Sequence, residues 1–200
     1  MSENRPYHHG DLRRTVLEAA VELIVEKGHA QLSLRELARR AGVSHAAPAH
    51  HFKDKAGLLT AIAVEGNELL ADSLAGALSA DSPDLKELGV RYIRFAADHP
   101  GHFDVMYRPD LYHRDDPELV AARTRTAELL RAGVESVPGE RRGGRSEEAG
   151  LAAWVLAHGF ADLWRSGTLR SAVGEDDPAA LFRTLAGHLF AGPPGREPAG

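Results

Sequence analysis

The stretch from residue 33 to residue 55 constrains the fold more than any other part of this 200-residue chain. Ser33 precedes an apolar helical pattern as a cap, and Glu36 follows three residues later, so hydroxyl and carboxylate can each satisfy a free backbone N–H. Gly42 can adopt a positive φ and is expected to end this helix, after which Ser44 is placed to cap a second one. Two helices joined by a glycine turn predict a helix-turn-helix, in which the second helix enters the DNA major groove.

Three segments at the start of the chain extend this pattern: LRRTVLEAAVELIVEKG (12–28), LSLRELARRAGVS (32–44) and HHFKDKAGLL (50–59). Together they resemble the TetR family of one-component transcriptional regulators. A second match comes late, where Trp154, His158 and Gly159 form a W-x-x-x-H-G pattern that looks like the ligand-binding C-terminal domain of one TetR subclass. The resemblance implies an all-α fold of about nine helices, with an N-terminal three-helix DNA-binding domain and a helical C-terminal domain for ligand binding and dimerisation.

Four regions are expected along the chain. They are a flexible arm at 1–9, the helix-turn-helix domain at 10–55, a helical effector-binding and dimerisation domain at 56–191, and a disordered tail at 192–200. No alternating apolar pattern of strand length occurs anywhere, which independently favours an all-α fold.

The distribution of charge agrees with a DNA-binding end. The whole chain carries a net charge of −5, yet residues 1–55 carry nine Lys and Arg against seven Asp and Glu. Six of the eleven histidines also lie in this first part. A locally basic surface on an otherwise acidic protein is the footprint expected of a nucleic-acid partner.

Composition also limits the function classes. The chain has no cysteine, which excludes disulfides and thiolate metal sites and agrees with a reducing cytosol. Its start lacks the apolar core of a signal peptide, and no stretch approaches the length of a membrane span. We therefore expect a cytoplasmic protein with no membrane partner and no cofactor.

The second helix of the motif, expected at 44–51, contains an unusual proline. Pro48 lies four residues after the expected cap, where it removes one backbone hydrogen bond and is predicted to loosen the first turn. Most relatives carry a tyrosine where this chain has Ala49, and that tyrosine commonly contacts a phosphate. His45 and His50 are therefore the expected readers of base edges or phosphates, while the neighbouring alanines offer small apolar contacts to thymine methyls.

The next helix is expected to supply a phosphate site. Asp54 can cap it, and Lys55 together with the free N–H groups of its first turn forms an anion site. An alternative for His51 is a structural hydrogen bond at the helix end. The full set of candidate DNA-binding residues is Ser33, Arg35, Ser44, His45, Ala46, Ala47, His50, His51, Lys53 and Lys55.

Aromatic residues in the C-terminal part suggest an effector pocket. The candidates for ligand binding are Tyr92, Phe95, Phe103, Met106, Tyr107, Trp154 and His158. The alternative for each is an ordinary core residue, since aromatics and methionine at helical spacing usually pack inside a protein. Gly159 is expected to permit the close approach of another helix.

The last two helices are predicted to form a dimer. They span roughly 146–165 and 178–190 and carry apolar residues on more than one face, so each needs more than one neighbour. In the family the corresponding helices pack against their two-fold mates as a four-helix bundle. A homodimer would present two reading helices to a palindromic operator.

These observations predict a ligand-responsive regulator, expected to be a repressor that a small molecule of unknown identity releases from double-stranded DNA. One alternative is a metal sensor, for which Asp98, His99, His102 and Asp104 offer ligands, with His8, His9, His50 and His51 adding to the count. A helical enzyme is the other alternative, and none of the familiar catalytic motifs supports it.

Overall fold

A computed structural model describes residues 9–78, 85–136, 146–174 and 177–190. Within these ranges the chain forms ten α-helices, one short 3₁₀ turn at His29–Gln31 and no strand, which confirms the all-α prediction. The helices are α1 His9–Lys27, α2 Leu34–Arg40, α3 Ala47–Phe52, α4 Lys55–Leu78, α5 Leu85–Asp98, α6 Pro100–Met106, α7 Pro117–Glu135, α8 Ser146–Arg165, α9 Thr168–Val173 and α10 Pro178–Phe190. The predicted tail at 192–200 and most of the predicted arm at 1–9 lie outside the described residues.

The chain divides into two compact units. The first consists of residues 1–67 and 99–123, and the second of residues 68–98 and 124–200. The first unit therefore contains α1 to α3, the beginning of α4, and α6. The second contains α5, most of α7, and α8 to α10.

The first unit is built around one apolar face of α1. Val16, Ala20 and Leu23 on this face are almost fully buried, and they belong to one cluster with Leu37 of α2 and Phe52 of α3. Residues on an apolar helical stripe bury themselves against neighbouring helices because this removes apolar surface from water. The contacts of this face with Leu37 and Phe52 therefore hold α2 and α3 in their orientation.

The second unit is organised by α5. Its buried residues include Leu88, Val90 and Ile93, and the helix packs mainly against α8 and α10. The ring of Phe182 on α10 lies so close to Gly89 that any β-carbon at that position would overlap it. Glycine therefore sets the distance between α5 and α10. Among the described residues, no helix is both long and apolar enough to cross a membrane.

Candidate DNA-binding surface and effector cavity

The start of α2 is capped as predicted. The Ser33 hydroxyl accepts a hydrogen bond of 3.2 Å from the backbone N–H of Glu36. The Glu36 carboxylate binds Arg39 at 2.8 Å and Lys27 at 3.4 Å, and the hydrogen bond from Arg39 is the largest factor that lowers the pKa of Glu36 to about 2. The carboxylate thus joins α1 to α2 through Lys27.

The helix α3 begins later than the sequence predicts. It covers Ala47–Phe52, not 44–51, and its N-cap residue is Ala46 with no side-chain cap, so the assignment of Ser44 as the cap is wrong. The Ser44 carbonyl accepts a 3.0 Å hydrogen bond from the Ala47 N–H, which closes a turn one residue shorter than an α-turn. Pro48 consequently lies in the first helical turn, where its missing N–H costs no hydrogen bond.

Most of the predicted reading residues are exposed on this surface. His45, Ala46 and His50 are accessible, as are Ser33, Arg35, Ser44, Ala49 and Lys53. Ala47 is only 8% exposed and belongs to the core, so its methyl group is not available to a DNA base. His51 is half-buried, with its ring against those of His50 and Phe52 at 5.4 and 6.3 Å between centroids.

A tight turn connects α3 to α4. Lys53 adopts φ 66° and ψ −61°, the positive-φ conformation of a γ-turn, which costs energy for a residue with a side chain. The Asp54 N–H donates to the Phe52 carbonyl at 2.8 Å, and the Asp54 carboxylate caps α4 by accepting from the Gly57 N–H at 2.8 Å. A β-carbon at Gly57 would collide with the Phe52 carbonyl. The turn therefore depends on glycine at this position.

The cations near the motif differ in their partners. Arg39 binds Glu36, and Arg40 binds both Glu22 and Glu26, at 3.1 and 2.6 Å. Their charge is therefore already balanced by carboxylates. Lys55, in contrast, donates to the Ala30 carbonyl at 3.3 Å. A carbonyl is neutral, so this bond does not balance the positive charge of Lys55.

A cavity of about 630 Å³ lies in the second unit between α5, α7 and α8. Each helix contributes residues at helical spacing, and much of the space exists because Ala127, Gly150, Ala153 and Ala157 have little or no side chain. The other lining residues are Leu85, Leu88, Gly89, Tyr92, Leu130, Arg131, Val134, Glu135, Glu147, Leu151 and Trp154.

Three of the predicted ligand-binding residues meet at one end of this cavity. The hydroxyl of Tyr92 lies 2.9 Å from Nδ1 of His158, and the His158 ring stacks on Trp154 with 5.3 Å between centroids. Tyr92 and Trp154 line the cavity, and His158 contacts both. Burial is the largest factor that lowers the pKa of His158. The imidazole is therefore mostly neutral at pH 7.

Charged residues gather at the other end. Arg131 and Glu135 form an ion pair of 2.8 Å on α7, and Glu147 lies in the first turn of α8. All three side chains line the cavity and belong to exposed residues. The cavity thus has an aromatic, neutral end and a charged end that faces water.

The remaining four predicted ligand residues do not line this cavity. Phe95 is buried within the second unit. Phe103, Met106 and Tyr107 belong to the first unit, where Phe103 packs on Tyr107 with 5.0 Å between ring centroids. The close packing of Met106 extends to Gly66, where a β-carbon would lie 2.6 Å from the sulfur. Core packing, the alternative considered for each candidate, accounts for the burial of Phe95, Phe103 and Met106.

The proposed metal ligands are engaged elsewhere. His102 Nε2 lies 2.9 Å from a carboxylate oxygen of Glu65, and Asp104 lies 2.6 Å from Nδ1 of His29. Across the part of the chain that the structure describes, no group of three His, Asp or Glu side chains could hold a metal ion, and His8 lies outside that part. Nothing in the described residues supports the metal-responsive alternative.

The helices α8 and α10 carry exposed apolar side chains. Leu151, Val155 and Leu163 on α8 are 60%, 55% and 46% exposed, and Leu185 on α10 is 41% exposed. Gly159 lies in the same row of α8, and a β-carbon there would meet nothing within 4 Å. No helix among the described residues of the protomer therefore makes the close approach that was expected at Gly159.

Comparison with known proteins decides the family. The profile described as "Tetracyclin repressor-like, C-terminal domain" matches residues 85–189, and that of "Bacterial regulatory proteins, tetR family" matches residues 16–62. The chain belongs to the TetR family. It is thus a ligand-responsive, DNA-binding transcriptional regulator, and the helix-turn-helix predicted from residues 33–55 is confirmed.

Individual known proteins align over most of the chain. The HTH-type transcriptional regulator BetI from Klebsiella pneumoniae (strain 342) is 29% identical over 197 residues, covering 89% of this chain and 91% of BetI. A solved protein of unknown function from Rhodococcus sp. RHA1 is 31% identical, with a TM-score of 0.75 and coverage of 94% and 97%. AibR, solved with isovaleryl coenzyme A and operator DNA, shares the fold at 16% identity, with a TM-score of 0.70 and coverage of 90% and 98%.

Proposed function

We propose that this protein is a dimeric repressor that leaves a palindromic operator when a small molecule occupies the cavity between α5, α7 and α8. The observation that carries the proposal is the exposed surface formed by His45, just before α3, and His50, on α3. Lys53 and Lys55 follow it in the turn to α4 and at the start of that helix. DNA binding is assigned to residues 10–55, and effector binding and dimerisation to residues 56–191. Its place of action is the cytoplasm, where operator DNA lies.

On the operator, the side chains divide into two groups. Ser33, Arg35, Ser44, Lys53 and Lys55 contact phosphates and fix the position of the protein, whereas His45, His50 and Ala46 meet base edges. Phosphate contacts carry affinity without sequence information, and base contacts carry the sequence preference. Because His50 presents one ring that can donate or accept, it suits the N7 and O6 atoms of guanine as well as a phosphate.

Dimerisation through 146–165 and 178–190 explains the exposed apolar row on α8. Leu151, Val155 and Leu163 follow one another at spacings of four and eight residues, so they lie along one side of the helix. Gly159 in the same row gives a second helix room to approach. A two-fold dimer places two α3 helices on half-sites about 34 Å apart, one turn of the DNA helix.

Effector binding is proposed to act by shifting populations. A molecule that fits the cavity better in one arrangement of the dimer favours that arrangement in proportion to its difference in affinity. The structure of AibR in complex with isovaleryl coenzyme A and operator DNA gives a precedent in the same fold for one protein with two kinds of partner.

The proposal is tested by selection of bound DNA. Purified protein is incubated at low salt with fragments of its own genome, and the retained DNA is sequenced. We expect enrichment of a palindromic site and a steep loss of binding as salt rises, because bound phosphates release counterions. Retention of fragments without any enriched sequence would refute the regulator proposal.

A further inference from the structure

We infer that the effector is a largely apolar molecule without negative charge, an inference that rests on the proposed effector role of the cavity. The volume of about 630 Å³ lies within the range of roughly 300 to 1,000 Å³ that is usual for drug-sized ligands. Of the fifteen described residues that line the cavity, eleven are aliphatic, glycine or tryptophan. A ligand that buries apolar surface against such a wall gains binding free energy.

The charged end of the cavity disfavours an anion. The guanidinium of Arg131 is already bound to the Glu135 carboxylate at 2.8 Å, so it offers little further attraction. Glu147 adds a second carboxylate at the same end. A carboxylate, sulfonate or phosphate placed here would meet more negative than positive charge from the described lining, and like charges at close range cost binding energy.

The described residues that line the aromatic end include no cation either. Tyr92 is 1% exposed, and the imidazole it contacts is mostly neutral because burial lowers the pKa of His158. Trp154 presents an indole whose N–H is its single polar group. An anion transferred into such surroundings would lose its hydration without gaining an opposite charge, and this is costly. An uncharged hydroxyl, carbonyl or amine group is compatible with both ends.

Two fluorescent probes that share one aromatic body isolate the effect of charge. N-phenyl-1-naphthylamine is uncharged at pH 7, and 8-anilinonaphthalene-1-sulfonate is the same body with a sulfonate. Each is titrated against the full chain at low ionic strength, where charge effects are least screened. We expect the uncharged probe to bind about tenfold more tightly or better, because the anion must be desolvated next to carboxylates. Equal affinity, through the arginines of residues 138–145 or through any other cation, would overturn the inference.

Matched variants locate the probe. Ala127 lines the cavity on α7 and is exposed, so Ala127→Phe fills space without disturbing a buried position. We expect it to weaken binding of the uncharged probe about tenfold, whereas Ala132→Phe, on an exposed part of the same helix, leaves binding unchanged. Equal effects of the two variants, or no effect of Ala127→Phe, would place the probe elsewhere and overturn the inference.

Charge reversal at Glu147 tests the charged end of the cavity directly. Glu147→Lys is expected to tighten binding of the sulfonate probe several-fold and to leave the uncharged probe unchanged. Glu128→Lys is the control, because Glu128 is exposed on α7 and does not line the cavity. Operator retention is measured on the same samples. Loss of probe discrimination with retained operator binding would refute the effector class alone, whereas loss of sequence-specific DNA retention would refute the proposed function.

Discussion

The hydroxyl of Tyr92 and Nδ1 of His158 lie 2.9 Å apart although 66 residues separate them in the chain. This contact joins α5 to α8 at the aromatic end of the cavity, and the stacking of His158 on Trp154 completes it. The spacing of four residues between Trp154 and His158 is about one turn of helix, which places both side chains on the same face. Because Tyr92 and Trp154 line the cavity and both contact His158, the shape of the cavity depends on how α5 packs against α8.

The pKa of His158 predicts how stability depends on pH. Burial lowers this pKa below its ordinary value of 6.5, so the unfolded state binds more protons than the folded state near that pH. Stability is then full above pH 6.5 and falls as the pH decreases towards the folded-state pKa. Urea unfolding at pH 7.5 and 5.5 is expected to show this loss, and His158→Asn to reduce it. His45→Asn, on an exposed residue, is the control, and an equal effect of both substitutions would contradict the prediction.

The turn at Lys53 predicts that one substitution there can raise the stability of the protein while it weakens DNA binding. Its positive φ is unfavourable for a residue with a β-carbon, so Lys53→Gly is expected to stabilise the protein by about 1 kcal/mol after the entropic cost of glycine. Lys53→Ala keeps the unfavourable conformation and brings no such gain. Both variants lose the cation and are expected to bind DNA more weakly. Thermal unfolding and operator titration check the two effects, and a destabilised Lys53→Gly would count against relief of strain.

Gly159 predicts the site of dimerisation. Among the described residues of the protomer, a β-carbon at position 159 meets no neighbour. Gly159→Ala is therefore expected to stabilise the helix by about 1 kcal/mol, because glycine is a poor helix former. If a partner helix packs there, the same methyl group weakens the dimer.

Val155→Arg, in the same row, is expected to yield monomers, as measured by light scattering during gel filtration. Val173→Arg on α9 introduces the same charge at a valine with similar exposure and is expected to remain dimeric. Monomers from Val173→Arg, or a dimer from Val155→Arg, would move the interface away from α8.

The division between phosphate and base contacts predicts two classes of DNA-binding variant. Lys55→Ala is expected to weaken binding to all sequences alike and to lower the salt dependence by about one counterion. Substitution of His45 or His50 by alanine is expected to change the preference between sequences. Lys86→Ala, in the second unit, controls for a general loss of charge. An unchanged sequence preference after both histidine substitutions would exclude them as readers.

Local signals in the sequence predicted the helix-turn-helix well. The cap at Ser33 and the apolar stripe of α1 act over a few residues, so they could be read directly. The start of α3 was missed because Ser44 has the chemistry of a cap, while Pro48 moves the first regular turn to Ala47. The first residue of α3 depends on whether the capping preference of Ser44 or the backbone restriction of Pro48 dominates.

The cavity could be predicted only in part. Tyr92 and Trp154 stand out as aromatics, but Ala127, Ala153 and Gly150 contribute by the side chains that they lack, and small residues give no local signal. Phe103 has the same chemical character as a pocket residue and lies in the core of the other unit. Such assignments depend on which helices meet, and that information is distributed over the whole chain.

The exposed alanines at the N-cap of α3 and within that helix have a practical consequence for engineering. At positions 46 and 49 the side chain ends at a methyl group, so a longer residue can be introduced without deleting an existing polar contact. Retargeting a regulator usually requires one recognition element to be exchanged for another. In this protein, new contacts to DNA bases can be added at positions 46 and 49 without exchanging the helix.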